Sequence, residues 1–151
     1  MKVRTLMTSD VRSCRPEMNL AEAVREMWEG DCGALPIVNE EGRVIGMITD
    51  RDICIAVATR GRPADRITVR EVAVDHVHTC LSDDDATSAI QAMKLHRIRR
   101  LPVVDADGHL RGIVSLSDIV THAGAVTQKE IVSALADICA HRPQAVDMVL
   151  A

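Results

Sequence analysis

Two places in the chain set a hydroxyl three residues ahead of a carboxylate, just where an apolar run ends. They are Gly46-Met47-Ile48-Thr49-Asp50-Arg51-Asp52 and Gly112-Ile113-Val114-Ser115-Leu116-Ser117-Asp118. If each apolar run is a strand leading into a helix, Thr49 and Ser115 lie among the free backbone N–H groups of a helix start. Those groups and the helix dipole favour phosphate there. The same spacing is close to a capping box, which stabilises a helix start and needs no ligand. Both readings stay open from the local sequence.

Two further stretches carry chemistry. His96-Arg97-Ile98-Arg99-Arg100-Leu101-Pro102 gathers cations that can pair with phosphate oxygens, or that simply complement the dipole at a helix end. In His76-Val77-His78-Thr79-Cys80 alternate residues share one face of an extended chain, and imidazole and thiolate suit zinc or copper. Only three ligands are visible in that metal reading; exposed strand-end histidines are the alternative. No local motif supplies a nucleophile, base and orienting group, so the chain is not read as an enzyme.

The elements that position these residues come from an internal repeat. At an offset of 66, Val3, Arg4, Val11, Cys14, Ala23, Met27, Leu35, Pro36, Val38, Gly42, Gly46, Asp52 and Ile53 recur in the second half, thirteen identities in fifty-one positions. In the first copy a short extended stretch, Arg12 to Arg15, precedes a helix capped by Asn19 and Glu22 and running through Trp28, with Leu20, Val24 and Met27 as its buried stripe. Ala34 to Val38 and Val44 to Ile48 are β-rich and meet at Asn39-Glu40-Glu41-Gly42, whose glycine can take a positive φ. Helices follow from Asp50 to about Thr59 and from Leu116 to about His122. Gly61 to Asp65 is the linker. Thr127 and Glu130 open a last helix, with Ile131, Leu135 and Ile138 on one face, and Pro143 ends it.

Composition narrows the partners. The 151 residues are 47% hydrophobic, enough for a core without metal or disulfide. Five cysteines, with no C-x-x-C pair, lie in apolar stretches and point to a reducing, cytoplasmic setting. No signal-peptide core and no run of eighteen apolar residues is present, so the expectation is no membrane insertion. A net charge of -4 and a single aromatic residue, Trp28, argue against nucleic acid.

A tandem β-α-β-β-α unit with Leu-Pro-Val-Val-Asp before its hairpin and Gly-Ile-Val-Ser-Leu-Ser-Asp after it resembles the CBS domain family over Val3 to about Ala123. The resemblance implies an α+β fold of two units packed around a pseudo-twofold axis, a Bateman module, with a C-terminal helix added. The expected organisation is a first unit over residues 1–62, a second over 63–123 and a helical extension over 124–151. Such modules usually pair again into flat dimers. They regulate by binding an adenosine-containing ligand: AMP, ADP or ATP, and less favoured here NAD or S-adenosylmethionine. None is required as a cofactor, and a standalone pair acts in trans on a protein effector.

Carried over position by position, one site joins Ser115, Asp118, His96 and Arg97 with Cys32, Gly33 and Ala34. Its Asp would accept both hydrogen bonds of a ribose diol. The other joins Thr49 and Asp52 with Ile98, Arg99 and Arg100. There Asp31 stands in the place of Arg97, and Arg100 could fill the base pocket, so the better site is expected at Ser115 and Asp118. The competing expectation is a dimeric scaffold that binds no ligand.

Overall fold

A computed structural model describes residues 1–73, 76–122, 124 and 126–140. In chain order the elements are α1 (Leu20–Glu29), β1 (Ala34–Val38), β2 (Val44–Thr49), α2 (Asp50–Arg60), β3 (Cys80–Leu81), α3 (Ala86–His96), β4 (Arg100–Val104), β5 (Leu110–Ser115), α4 (Leu116–Thr121) and α5 (Gln128–Cys139). Both β hairpins have the same register, Ala34 opposite Thr49 and Arg100 opposite Ser115, with an irregularity at Ile37/Val38 and again at Val103/Val104. Gly42 and Gly108 close their turns at φ 79 and 85, a conformation that glycine adopts without strain.

The two hairpin turns meet reciprocally. Val44 N donates to Gly108 O at 3.0 Å and Leu110 N to Gly42 O at 3.2 Å, residue pairs that exchange under the 66-residue offset. This is the expected pseudo-twofold arrangement of an α+β tandem repeat. Short bridges also place Cys14 parallel to Ile37, as Cys80 is parallel to Val103.

Each unit lends its leading segment to the other. Val3 and Leu6 are buried in the core built by α3, β4, β5 and α4, whereas Ile67 and Val69 are buried with Leu20, Leu35 and Ile48 in the first core. Backbone bonds hold the exchange: Val3 N to Asp84 O at 2.9 Å and Val69 N to Met18 O at 2.8 Å. Gly112 makes room for the crossing chain, since a Cβ there would lie 2.7 Å from Thr8 O. The two cores thus share both leading segments.

Two buried stripes differ from the sequence expectation. Leu20 and Met27 are buried, but Val24 is 43% exposed because nothing among the described residues covers that side of α1. On α5, Ile131 and Ile138 pack on the second core, but Ala134 takes the buried centre and Leu135 faces outward, the small side chain letting α5 lie close along α3. Pro143, read as the stop of this helix, lies outside the described residues.

Candidate functional site

The two hydroxyl–carboxylate pairs form capping boxes of nearly equal geometry. Asp118 Oδ2 accepts from Ser115 N at 2.8 Å and from Ser115 Oγ at 2.6 Å, and Asp118 N donates to Ser115 Oγ at 3.2 Å. At the other copy Asp52 Oδ2 accepts from Thr49 N at 2.9 Å and Thr49 Oγ1 at 2.7 Å. The capping role inferred from spacing is therefore present in both, and it occupies one oxygen of each carboxylate.

The surroundings differ. Ser115 and Asp118 line a cavity of about 770 Å³ with Cys32, Gly33 and Ala34 from the start of β1. That volume falls within the range of small-molecule and cofactor sites. Arg100 lines the same cavity, since its place on β4 directly opposite Ser115 turns it toward that helix start. The sequence reading had put Arg100 with Thr49 and Asp52, so this is a correction. Thr49 and Asp52 are not among the residues around this cavity.

His96 and Arg97 also lie elsewhere. His96 ends α3, and its ring stacks on His78 with centroids 3.4 Å apart. Burial and the neighbouring imidazoles hold the His78 pKa below its ordinary value. Arg97 takes a left-handed φ of 53 as the C-cap, and Asp31, its repeat counterpart, has a φ of 47. Ile98 packs on the second core, and the Arg99 carbonyl accepts from Leu116 N at 2.8 Å.

Sequence reasoning missed the leading segment. Thr8, Asp10, Val11 and Arg12 line the cavity beside Ser115, a consequence of the exchange that no local pattern reports. Arg12 is held by Glu26 Oε2 at 2.7 Å and Glu29 Oε2 at 3.0 Å, which raises its pKa. It crosses Gly30, where a Cβ would meet Arg12 Cδ at 2.8 Å. The repeat puts His78 in the place of Arg12 and His96 in the place of Gly30, so each leader is pinned to the end of its own unit's first helix. That shared role was readable from the offset.

The arrangement does not gather a three-ligand site from His76, His78 and Cys80. Cys80 is buried, its Sγ faces Pro102 O, and desolvation pushes its thiol pKa up to about 12, against thiolate formation. Among the described residues the one group of three with metal-ligand spacing is Asp105, Asp107 and His109 at the second hairpin turn. Asp105 is already engaged there by Asp107 N, His109 N and Arg111.

These features define a class: a tandem α+β repeat with a ligand-sized cleft between its two units. The chain belongs to the CBS domain family, whose pattern matches residues 3–59 and 69–125. CBS domains are generally regulatory, non-catalytic modules.

The chain is 37% identical over 111 residues to an uncharacterized protein of Methanopyrus kandleri, 74% of this chain and 57% of that protein. It is 36% identical over 124 residues to the CBS domain-containing protein YhcV of Bacillus subtilis, 80% of this chain and 84% of that one. Three solved structures share the fold. Hypoxic Response Protein I with two coordinated zinc ions is 32% identical, with a TM-score of 0.73 over 81% of this chain and 98% of that one. The CBS pair of protein MJ0100, in complex with 5′-methylthioadenosine and S-adenosyl-L-methionine, is 26% identical with a TM-score of 0.73, over 80% and 94%. A Pyrobaculum aerophilum CBS protein complexed with AMP is 24% identical with a TM-score of 0.75, over 83% and 95%. No helix among the described residues is long and apolar enough to cross a membrane.

Proposed function

We propose that this protein is a non-catalytic regulatory module, working as a homodimer, that binds an adenosine-containing ligand in the cleft at Ser115 and Asp118 and acts in trans on a protein effector. One observation carries the reading. A single cavity brings Ser115 and Asp118 together with Cys32, Gly33 and Ala34, five of the seven residues that the family resemblance assigns to one ligand, without His96 and Arg97. Asp118 offers its free carboxylate oxygen to the ribose diol, and Cys32 to Ala34 supply a small-residue wall for the adenine. The adenosyl ligands of the MJ0100 pair support the class.

The charge of the lining bears on which ligand. Asp10, Glu29, Asp31 and Asp118 face the cavity against Arg12 and Arg100, and Arg12 is already paired. Four carboxylates and two guanidiniums leave the cleft acidic, which opposes a triphosphate. The reading therefore favours AMP or the cationic S-adenosylmethionine over ATP, where the sequence alone had placed AMP and ATP together. Calorimetric titration with AMP, ADP, ATP, NAD and S-adenosylmethionine tests it. Saturable binding with ATP the weakest of the adenine nucleotides is the expected result, and no binding to any of the five would leave the scaffold reading instead.

A further inference from the structure

The two leading segments are pinned at equivalent places by different chemistry. In the first unit Arg12 is locked to Glu26 Oε2 at 2.7 Å and Glu29 Oε2 at 3.0 Å, and its stem crosses Gly30. Under the 66-residue offset these four positions become His78, Ala92, Leu95 and His96. Both carboxylates are lost. A guanidinium clamped between two anions is replaced by two imidazoles stacked face to face, with centroids 3.4 Å and planes 11° apart.

The charges around the stack do not replace those anions. The groups that act on the His78 ring are His96 from α3 and His76 from its own segment, and with burial they hold its pKa below the ordinary value. Arg97, the C-cap of α3, adds a cation next to His96. The carboxylates of the neighbouring elements are taken: Asp137 of α5 lies 3.4 Å from Lys94 Nζ, Asp84 accepts from Leu81 N at 2.8 Å, Asp83 and Asp85 pair with Arg4 and Lys2, Asp118 closes the α4 cap and Glu130 the α5 cap. His122 Nδ1 meets Asp118 O on α4, and Arg100 of β4 lines the cleft. Among the described residues the histidine that has an ion pair is His109, at the distant hairpin turn. A neutral imidazole stacks well on a neutral or a protonated one, because a cation is attracted to a ring face. Two protonated rings at that separation repel.

We propose that the His78–His96 stack is a pH-operated latch on the second leading segment, closed while either ring is neutral and open when both carry a proton. The sign follows from linkage. The closed state disfavours the charged form, so the latch adds to stability above the ordinary histidine pKa and loses that contribution as pH falls through the mildly acidic range. The Arg12 clamp has no such response, since a guanidinium–carboxylate pair persists across that range. The pH response is therefore confined to residues 76–80, just ahead of the pairing of Cys80 and Leu81 with β4, while the segment that lines the cleft at Ser115 stays held. Nothing in this inference depends on which ligand the cleft takes.

Nuclear magnetic resonance of the full chain, titrated from roughly pH 8 to pH 5 around the ordinary histidine pKa, tests it. The imidazole signals are assigned with His78→Gln and His96→Gln, at an exposed and a half-buried position. In the wild type the two rings are expected to titrate in separate steps, with the ring-current displacement of their carbon-bound protons lost over the second step. Backbone shifts of residues 76–80 should follow that step, and those of residues 8–14 should not. His96→Gln should move the His78 titration to higher pH. Rings that titrate without regard to each other's replacement, or that remain stacked when both are protonated, would overturn the proposal. Grafting the first unit's clamp, as His78→Arg with Ala92→Glu, Leu95→Glu and His96→Gly, should abolish the pH response of residues 76–80, and a persisting response would count against the latch; the two single variants decide the question if the graft does not fold. Each titration is repeated with EDTA, and a second step that disappears with the chelator would assign the rings to a metal ion and overturn the latch.

Discussion

The near-identity of the two capping boxes makes a paired substitution informative. Asp118→Ala and Asp52→Ala each remove a carboxylate oxygen that accepts two hydrogen bonds, at 2.8 and 2.6 Å in one case and 2.9 and 2.7 Å in the other. The structural cost is therefore matched, about 1 kcal/mol for a lost cap, or roughly 2–4 °C in melting temperature for a chain of this size. The ligand cost is not matched. Asp118 lines the cavity and Asp52 does not. Losing two charge-assisted hydrogen bonds from a ribose diol, at about 1.5 kcal/mol each, removes about 3 kcal/mol, or roughly 100-fold in Kd. Calorimetry with AMP should show that loss in Asp118→Ala and less than about threefold change in Asp52→Ala. Equal losses in the two variants, or a larger loss in Asp52→Ala, would refute the assignment of the cleft to the second helix start.

Gly112→Ala forces a Cβ to 2.7 Å from the Thr8 carbonyl, a backbone contact that cannot swing aside, so the melting temperature should fall by several degrees, about 1–3 kcal/mol; an unchanged melting curve would mean the leader does not cross there. Thiol labelling of the native protein should proceed at Cys54 and Cys139 and fail at Cys14 and Cys80, whose burial pushes their pKa values up to about 12. Cys32, which lines the cleft, should label more slowly when AMP is present, read by mass spectrometry of the peptide that contains it. Glu71, held by the Thr68 backbone N–H and Arg62, and Asp105, held by the His109 N–H and Arg111, both have pKa values lowered to about 2, from 4.5 and 3.8. A depressed carboxylate stabilises the folded state above its unfolded pKa and loses that contribution as it protonates, so melting temperature should decline as pH falls from about 4.5 toward 2.

What could be read from the sequence follows the range of the interactions involved. Caps at Asn19, Thr49, Ser115 and Thr127 depend on residues three apart, and the hairpin turns depend on Gly42 and Gly108, so a short window contains the whole cause. The exchange of leading segments was invisible because Val3 and Leu6 are apolar residues that would suit either core. What sends them to the second unit is the pairing of Thr8 with Ile113 and the clearance at Gly112, contacts more than a hundred residues apart in sequence. Val24 misled for a related reason. Periodicity shows which face of α1 is apolar, but not whether that face meets the chain's own core or is left bare.

The candidate site divides along the same line. Of the residues that the resemblance put at one site, Ala34, Ser115 and Asp118 line the cleft from register positions of a hairpin or a helix start that both repeats must build, and Cys32 and Gly33 line it from the connection that leads into β1. His96 and Arg97, at the end of α3 and the first position after it, do not line it; along that stretch the repeats share backbone conformation and little else. Asp31 and Arg97 adopt the same left-handed φ with opposite charges, and Gly30 and His96 occupy one position while serving Arg12 and His78 differently. A connection whose backbone is held by the flanking elements can change its side chains without disturbing either core. The two halves differ at every position from 28 to 34 against 94 to 100, and that leaves the Ser115 helix start bordering an acidic cleft with a small-residue wall, while the Thr49 helix start keeps its cap.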